Sequence, residues 1–268
     1  MRPIAPLLAL VPALAAACTT LGPTPATTGL SARPIARGGA EVQAGVMPGH
    51  YLSSTVVEQP SAASIPQLSA VVEVGPWLQV PGLVVGVRSF GQAGDAPIEP
   101  VIGYRRELGA DGQAALAGFA YGTRARAADD GASYTATRVG AELSADVRVT
   151  GRSRWLEPHL FGSLNTTYLD ARGTYCTTAE MRWGKDCAAP AEPPSPTMTA
   201  TIDGAFVAGS LGASAEFLRD RRGWFRGGRL AATAAAGVMP RIEAGQRSGT
   251  STYAAFGLSL SLSVGSSE

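Results

Sequence analysis

The chain has 268 residues, a formal net charge of +1, and only 16% charged residues. Its length is enough for one large β domain or two smaller ones. The near-neutral charge, without a basic stripe or a base-stacking motif, gives no support to a nucleic-acid partner.

The N-terminus is typical of a secretory signal peptide, which we assign to residues 1–17. Arg2 precedes an apolar stretch, Ile4 to Ala17, that is too short to cross a bilayer as a helix. The end of this stretch, Leu-Ala-Ala-Ala-Cys, resembles the bacterial lipobox, in which the cysteine becomes the lipidated N-terminus. This resemblance implies lipidation of Cys18, and ordinary cleavage at the small residues is the alternative.

Residues 18–40 are rich in Thr, Pro, Gly and Ala and have no apolar period, so they predict a flexible N-terminal tether. From residue 41 to residue 264 the pattern changes to two-residue alternation between turn signals, which is typical of half-buried strands. In the clearest example, 134–149, Leu143 lies on the apolar face and Glu142 on the polar face. The predicted strands are 41–53, 66–74, 82–90, 98–107, 113–125, 134–149, 155–170, 197–218, 224–241 and 251–264.

The connections between these strands alternate in length. Short turns are predicted around 75–81, 110–112, 151–154 and 220–223, and longer connections at 54–65, 91–97, 126–133, 171–196 and 242–250. Transmembrane barrels sort their connections in this way, with tight periplasmic turns and longer outer loops. Trp77, Trp155 and Trp224 all fall at the turn side, as in an interfacial aromatic girdle. We therefore predict an all-β fold: an antiparallel up-and-down transmembrane-type β-barrel of about ten strands, or eight if the barrel starts near Trp77.

The longest connection, 171–196, contains Cys176 and Cys187. An exported chain meets an oxidising compartment, so we expect these two cysteines to form a disulfide and to leave Cys18 for lipidation. A disulfide-closed outer loop would form a recognition surface on a rigid barrel. A loop that is merely tolerated there is the alternative.

The stretch from Ala255 to Leu262 resembles the C-terminal signal of bacterial outer-membrane barrels. In that signal a glycine is followed, three and five positions later, by large hydrophobic residues, and here Gly257, Leu260 and Leu262 occupy the three positions. The resemblance is to the small bacterial outer-membrane β-barrel class as a whole, over about 41–264. It implies recognition by the barrel-insertion machinery, contact with outer-membrane lipid, and a bacterial outer-membrane location with a periplasmic N-terminus.

The predicted turns determine which charged residues face each other. If residues 152 and 153 form a two-residue turn, Arg148 faces Glu157, and in the same register Asp146 faces His159. The corresponding turn at residues 222 and 223 would place Glu216 opposite Arg229.

A barrel of eight to ten strands is narrow enough for side chains to fill much of its interior. We therefore predict a network of ion pairs that closes the lumen, with a gated proton path through a titrating His159 as the alternative. The predicted network consists of Glu73, Arg105, Glu142, Asp146, Arg148, Glu157, His159, Glu216 and Arg229.

These expectations favour a non-enzymatic barrel with a structural or surface-interaction role through its outer loops, toward an extracellular partner that the sequence does not identify. The Gly- and Ser-rich lumen faces of 113–125 and 251–264 leave a narrow solute pore as an alternative. Another is a periplasmic lipoprotein whose soluble barrel has an apolar lumen and a polar outside. The sequence shows no zinc-type Cys/His spacing, phosphate loop or dinucleotide fingerprint, so it predicts no catalytic residues, metal ligands or cofactor.

Overall fold

A computed structural model describes residues 30–35, 38–51, 63–90, 98–109, 111–129, 132–151, 153, 155–176, 197–218, 224–240 and 250–265. The strands are β1 (Ala40–Tyr51), β2 (Ala63–Glu73), β3 (Leu83–Phe90), β4 (Ile98–Leu108), β5 (Ala114–Asp129), β6 (Ala132–Arg148), β7 (Leu156–Cys176), β8 (Thr197–Phe217), β9 (Phe225–Pro240) and β10 (Thr250–Val264). A short helix, α1 (Gly75–Leu78), follows β2. Over the described residues, no helix is long and apolar enough to span a membrane. The predicted signal peptide, Cys18 and Cys187 lie outside the described residues, so the predictions of export, lipidation and the disulfide stay predictions.

The ten strands form a closed antiparallel barrel in which each strand pairs with its neighbours in the chain. β1 closes the ring by pairing with β10, from Ala40 opposite Val264 onward. The predicted ten-stranded barrel is confirmed, and the eight-stranded alternative is wrong. An eight-stranded barrel would need β3 to pair directly with β10, but β1 and β2 lie between them, with β1 paired to β10 and β2 paired to β3.

The turn end of the barrel carries the connections 74–82, 109–113, 149–155 and 218–224, and the loop end carries 52–62, 91–97, 130–131, 177–196 and 241–249. The predicted long connection at 126–133 is wrong. It consists of only residues 130 and 131, because β5 continues to Asp129 and β6 begins at Ala132.

One of the two predicted hairpin registers is also wrong. Arg148 lies opposite His159 rather than Glu157, and Asp146 lies opposite Phe161. The register shifts by two residues because the turn is wide, and the N–H of Val149 donates to the carbonyl of Pro158 at 2.9 Å. The predicted pairing of Glu216 with Arg229 across β8 and β9 is confirmed.

The two faces of the barrel differ sharply in polarity. On β6, Leu143 is 66% exposed on the outside, while the neighbouring Glu142 is 1% exposed on the inside. Large apolar side chains project outward on the other strands as well, among them Ile102, Leu160, Leu211, Leu230 and Phe256. Such an apolar outer band around a polar interior is the architecture of a transmembrane barrel. A soluble ligand-binding barrel needs the reverse arrangement, so that alternative is wrong.

Aromatic side chains mark the turn end. Trp77 lies in α1, Trp155 in the turn between β6 and β7, and Trp224 in the turn between β8 and β9, and each is more than half exposed. Trp224 also packs edge-on against Phe225. Exposed tryptophans beside an apolar band are typical of a membrane–water interface.

Candidate functional site in the barrel lumen

A short N-terminal segment occupies the lumen. Residues 30–35, which we name the lumen segment, lie inside the barrel, and Leu30, Ala32 and Arg33 are each 5% exposed or less. The prediction of a flexible tether over 18–40 therefore does not hold for these six residues. They are held because both their apolar and their polar groups find partners on the inner wall, which no local pattern in a Thr/Pro/Gly-rich stretch reveals.

Arg33 anchors the lumen segment through its guanidinium. Its Nε donates to Asp146 Oδ1 at 2.8 Å, and its Nη1 and Nη2 donate to the carbonyls of Gly112 and Gln113 at 2.6 and 3.1 Å. The backbone of the segment is held as well, because Arg105 Nη1 donates to the Arg33 carbonyl at 3.1 Å. The contacts with residues 112 and 113, in the turn between β4 and β5, place Arg33 toward the turn end.

Asp146 is the centre of the surrounding charge cluster. It is fully buried, and it accepts hydrogen bonds from Arg33 and, at 2.9 Å, from Arg229 Nη2. His159 Nδ1 lies 2.8 Å from the same carboxylate. Arg229 also donates to Ser214 Oγ and to Ser31 Oγ of the lumen segment. Asp146 and His159 are therefore in contact as predicted, although the predicted register of β6 and β7 is wrong, because they meet diagonally across the two strands.

The other predicted network residues on the inner wall are divided among separate contacts. Arg105 pairs with Glu41 at 2.9 Å, which the sequence analysis did not include. Glu73 accepts from the backbone N–H groups of Gly38 and Gly82 at 2.8 and 2.9 Å. These contacts hold the backbone at the turn end of the barrel.

Two further predicted residues also contact turn backbone. Arg148 Nε donates to the Thr150 carbonyl at 3.0 Å, and Glu157 Oε1 accepts from the Ser153 N–H at 2.8 Å. The predicted Arg148–Glu157 pairing is therefore replaced by a separate backbone contact for each residue.

A second charge cluster lies closer to the loop end, and its residues are not part of the predicted network. Glu99 is fully buried and lies 2.8 Å from Arg88 Nε and 3.0 Å from Arg138 Nε. The Arg88 guanidinium also stacks over the Tyr121 ring at 3.2 Å. The signal was available, because counting back from Arg105 by twos along β4 places Glu99 on the same inner face. Glu142, which the sequence analysis did include, is buried on the inner face of β6.

A polar hydroxyl cluster completes the interior. The Tyr121 hydroxyl donates to Asn165 Oδ1 at 2.8 Å and lies 2.6 Å from Thr167 Oγ1. The Ser163 hydroxyl lies 2.7 Å from Ser210 Oγ. Hydroxyl and amide groups thus make hydrogen bonds between strands of the lumen wall, whereas other buried polar atoms of the described residues, among them Ser144 Oγ and His159 Nε2, have no hydrogen-bond partner.

The lumen segment lines two cavities of unequal size. Beside Leu30 and Glu142 the remaining cavity has a volume of only about 10 Å³, about the space of one water molecule. At the turn end, a cavity of about 940 Å³ lies between Arg33, Glu73, Arg106 and Glu216, and we name it the vestibule. A solute that enters the vestibule from the turn end meets the lumen segment, which lines it.

Comparisons with known proteins find only distant similarity. No protein-family model matches the chain, and no curated protein matches it. The fold is similar to the crystal structure of Neisserial surface protein A, at 12% identity over 84% of this chain and 95% of that one, with a TM-score of 0.32. It is also similar to Ail, the attachment invasion locus protein of Yersinia pestis, at 9% identity over 85% and 99% of the two chains, with a TM-score of 0.30.

A third similar structure is the N-terminal β-barrel domain of Pseudomonas aeruginosa OprF, at 10% identity over 85% and 98% of the chains, with a TM-score of 0.27. Sequence identities and TM-scores this low support no inference about function. The assignment to the outer-membrane type of barrel rests on the closed ring of strands, the outward apolar band and the polar interior of this chain.

Proposed function

We propose that the protein is an integral outer-membrane barrel with a closed lumen and a non-enzymatic role, structural or in surface interaction, exerted through its outer loops. The observation that carries the proposal is the lumen segment, which Arg33 and Asp146 hold inside the barrel. A barrel closed by its own chain does not conduct solutes. Its connections at the loop end are then the parts that can meet other molecules.

The outward side chains support the membrane setting. Side chains such as Leu143 and Leu211 are exposed on the outside of the barrel. Burying them in lipid removes apolar surface from water, which stabilises the barrel by roughly 25 cal/mol for each Å² buried. Outer-membrane lipid is thus the first partner of the barrel. Leu260 and Leu262 of the C-terminal signal are also exposed on the outer surface of β10, where the barrel-insertion machinery can reach them.

The topology supports a periplasmic N-terminus. The lumen segment leads into β1 at the turn end, the end that is periplasmic in transmembrane barrels. Leu30 lies twelve positions after Cys18, and a fully extended chain over those twelve steps reaches roughly 40 Å. A lipid on Cys18 could therefore sit in the periplasmic leaflet while residue 30 stays in the lumen.

The connection 177–196 is our candidate for the interaction surface. Cys176 ends β7, at the base of this connection, and a disulfide to Cys187 would close the first part of the loop. A loop restrained in this way loses less conformational entropy when it binds a partner.

Cell fractionation and surface proteolysis test the proposal. We expect the protein in the outer-membrane fraction after alkaline carbonate extraction, with heat-modifiable migration on gels, and cleavage within 177–196 by protease added to intact cells. Release by carbonate would contradict the membrane assignment, and protection of 177–196 on intact cells would contradict the orientation. Channels formed by the refolded wild-type protein in planar bilayers would contradict the closed lumen.

The narrow solute pore stays as the alternative, because one observation favours it. The lumen is closed by a segment that precedes the barrel strands, and the vestibule of about 940 Å³ gives access to that segment from the turn end. A barrel from which the segment withdrew would conduct. Conductance of a variant that lacks the Arg33 anchor separates a permanent closure from one that can open.

A further inference from the structure

Two glutamates on the inner wall oppose each other near the turn end. Glu157 of β7 and Glu216 of β8 are direct cross-strand partners, and both side chains face the lumen. Glu157 is 2% exposed, and the side chain of Glu216 is 15% exposed. Like charges directly opposite each other on a sheet repel, and a cation bound by both carboxylates would remove that repulsion.

His159 lies beside this pair, two residues along β7 on the same face. Its Nε2 atom lies 3.9 Å from Glu157 Oε2 and 3.8 Å from Glu216 Oε2, and these distances are too long for hydrogen bonds. The histidine is 1% exposed, and Nε2 has no hydrogen-bond partner among the described residues. An unsatisfied ring nitrogen, buried and directed at two carboxylates, is a second and independent sign that a ligand belongs there.

The contact that Nδ1 of His159 makes with Asp146 favours the tautomer in which Nε2 has a free lone pair. Asp146 Oδ1 lies 2.8 Å from Nδ1, so a proton on Nδ1 is hydrogen-bonded to a buried carboxylate. Histidines that bind metals usually donate their second ring N–H to such a group, which sets the tautomer and orients the ring. Arg33 Nη2 also lies 2.9 Å from Nδ1 and competes for it. If Nδ1 accepts from Arg33, the proton lies on Nε2 and the cluster holds together without a metal ion.

We propose that Glu157, His159 and Glu216 bind a divalent cation of the zinc class. Zinc binds histidine nitrogen at roughly 2.0–2.1 Å and carboxylate oxygen at roughly 2.0–2.2 Å, so tetrahedral ligand atoms lie about 3.4 Å apart. The nitrogen–oxygen distances of 3.8 and 3.9 Å need to contract by only a few tenths of an ångström, and the three ligand atoms lie within 4.8 Å of one another. One nitrogen and two carboxylates suit zinc better than calcium, which takes six to eight oxygens.

The vestibule provides the route to this site. Glu216 lines it, so an ion from the turn end reaches the carboxylate without passing the lumen segment. Three protein ligands leave a fourth position for water or for a small ligand. Through His159 and Asp146 the bound ion would also be linked to Arg33, and so to the lumen segment.

Zinc titration of the folded barrel tests the proposal. The full chain, folded in detergent and freed of metal with a chelator, is titrated with Zn²⁺ in a calorimeter, and we expect one saturable site. His159→Gln and Glu216→Gln should each weaken binding at least tenfold. Two controls should bind as the wild type does: His50→Gln, which alters the only other histidine, and Glu107→Gln, which alters an exposed glutamate of the same vestibule.

A second readout identifies the ligands independently. Co²⁺ in place of Zn²⁺ should give the visible absorption of a four-coordinate ion with a nitrogen ligand, and His159→Gln should abolish it. Heat-modifiable migration shows that each variant is folded before it is titrated, and Glu157→Gln replaces any variant that is not. Absence of saturable Zn²⁺ binding to the folded wild type, or equal binding by the folded His159→Gln variant, would overturn the proposal and leave the histidine itself as the group between the two glutamates.

Discussion

Replacing Arg33 by alanine should release the lumen segment. The substitution removes the guanidinium that donates to Asp146 and to the carbonyls of Gly112 and Gln113 at 2.6–3.1 Å. It leaves a carboxylate and two carbonyls without that donor inside the barrel. The barrel should stay folded, because its strands pair with one another and not with the lumen segment.

The size of the effect follows from the burial of the ion pair. The side chains of Arg33 and Asp146 are 6% and 0% exposed. Because Arg229 and His159 remain beside Asp146, the loss is that of hydrogen bonds to a charged group, about 1.5–3 kcal/mol. Every 1.4 kcal/mol is a factor of about ten in an equilibrium constant. The undocked state of the segment should therefore become roughly tenfold to 150-fold more populated.

Hydrogen exchange and conductance measure this release. In the folded Arg33→Ala variant, amide exchange over residues 30–35 should accelerate strongly while exchange in the strands stays as in the wild type. Planar bilayers should then show channel openings that the wild type lacks. The matched control is Arg106→Ala, which removes an exposed arginine of the same vestibule.

Unchanged exchange over 30–35 in Arg33→Ala would refute the reasoning, since the anchor would then contribute little. Equal acceleration in Arg106→Ala would refute it too, because the effect would then reflect a general loss of positive charge at the turn end. Faster exchange without conductance would show that the segment can leave while the loop-end charge cluster still closes the lumen.

Three more substitutions test the two faces of the barrel, each by urea unfolding from lipid vesicles. Leu143→Arg places a charge in the outward apolar band and should cost about 2–4 kcal/mol if the residue lies near the bilayer midplane; no loss in vesicles would argue against a lipid-facing side. Glu99→Gln removes the carboxylate shared by two buried arginines and should cost about 3–5 kcal/mol, whereas Glu107→Gln, at an exposed glutamate, should cost almost nothing. Gly86→Ala brings a Cβ to 2.1 Å from a backbone carbonyl oxygen, and the overpacking should cost roughly 1–3 kcal/mol, while Gly118→Ala meets its nearest neighbour at 3.5 Å and should be tolerated.

The barrel could be predicted from the sequence because each strand has a local pattern of alternating side chains. Successive side chains of a strand point to opposite faces, so the contrast between Leu143 and Glu142 is visible in any short window. The first two predicted strands, which an eight-stranded barrel would omit, are present as β1 and β2. The registers were less secure, because the width of a turn such as 149–155 depends on hydrogen bonds that the residues of the turn do not reveal.

By itself, the sequence determined the all-β class, the approximate positions of the strands and the alternation of apolar and polar faces along them. The choice between ten and eight strands and the outward direction of the apolar faces came from the tertiary structure. Only the tertiary structure decided which residues contact one another inside the barrel lumen. The lumen segment has no local signature, and its place depends on Arg33 finding Asp146, 113 residues away. The opposed Glu157 and Glu216 come together only through the register of β7 against β8. Alternation is a local property of one strand, whereas contacts across a lumen depend on how the whole sheet closes, and that closure brings together residues from distant parts of the chain.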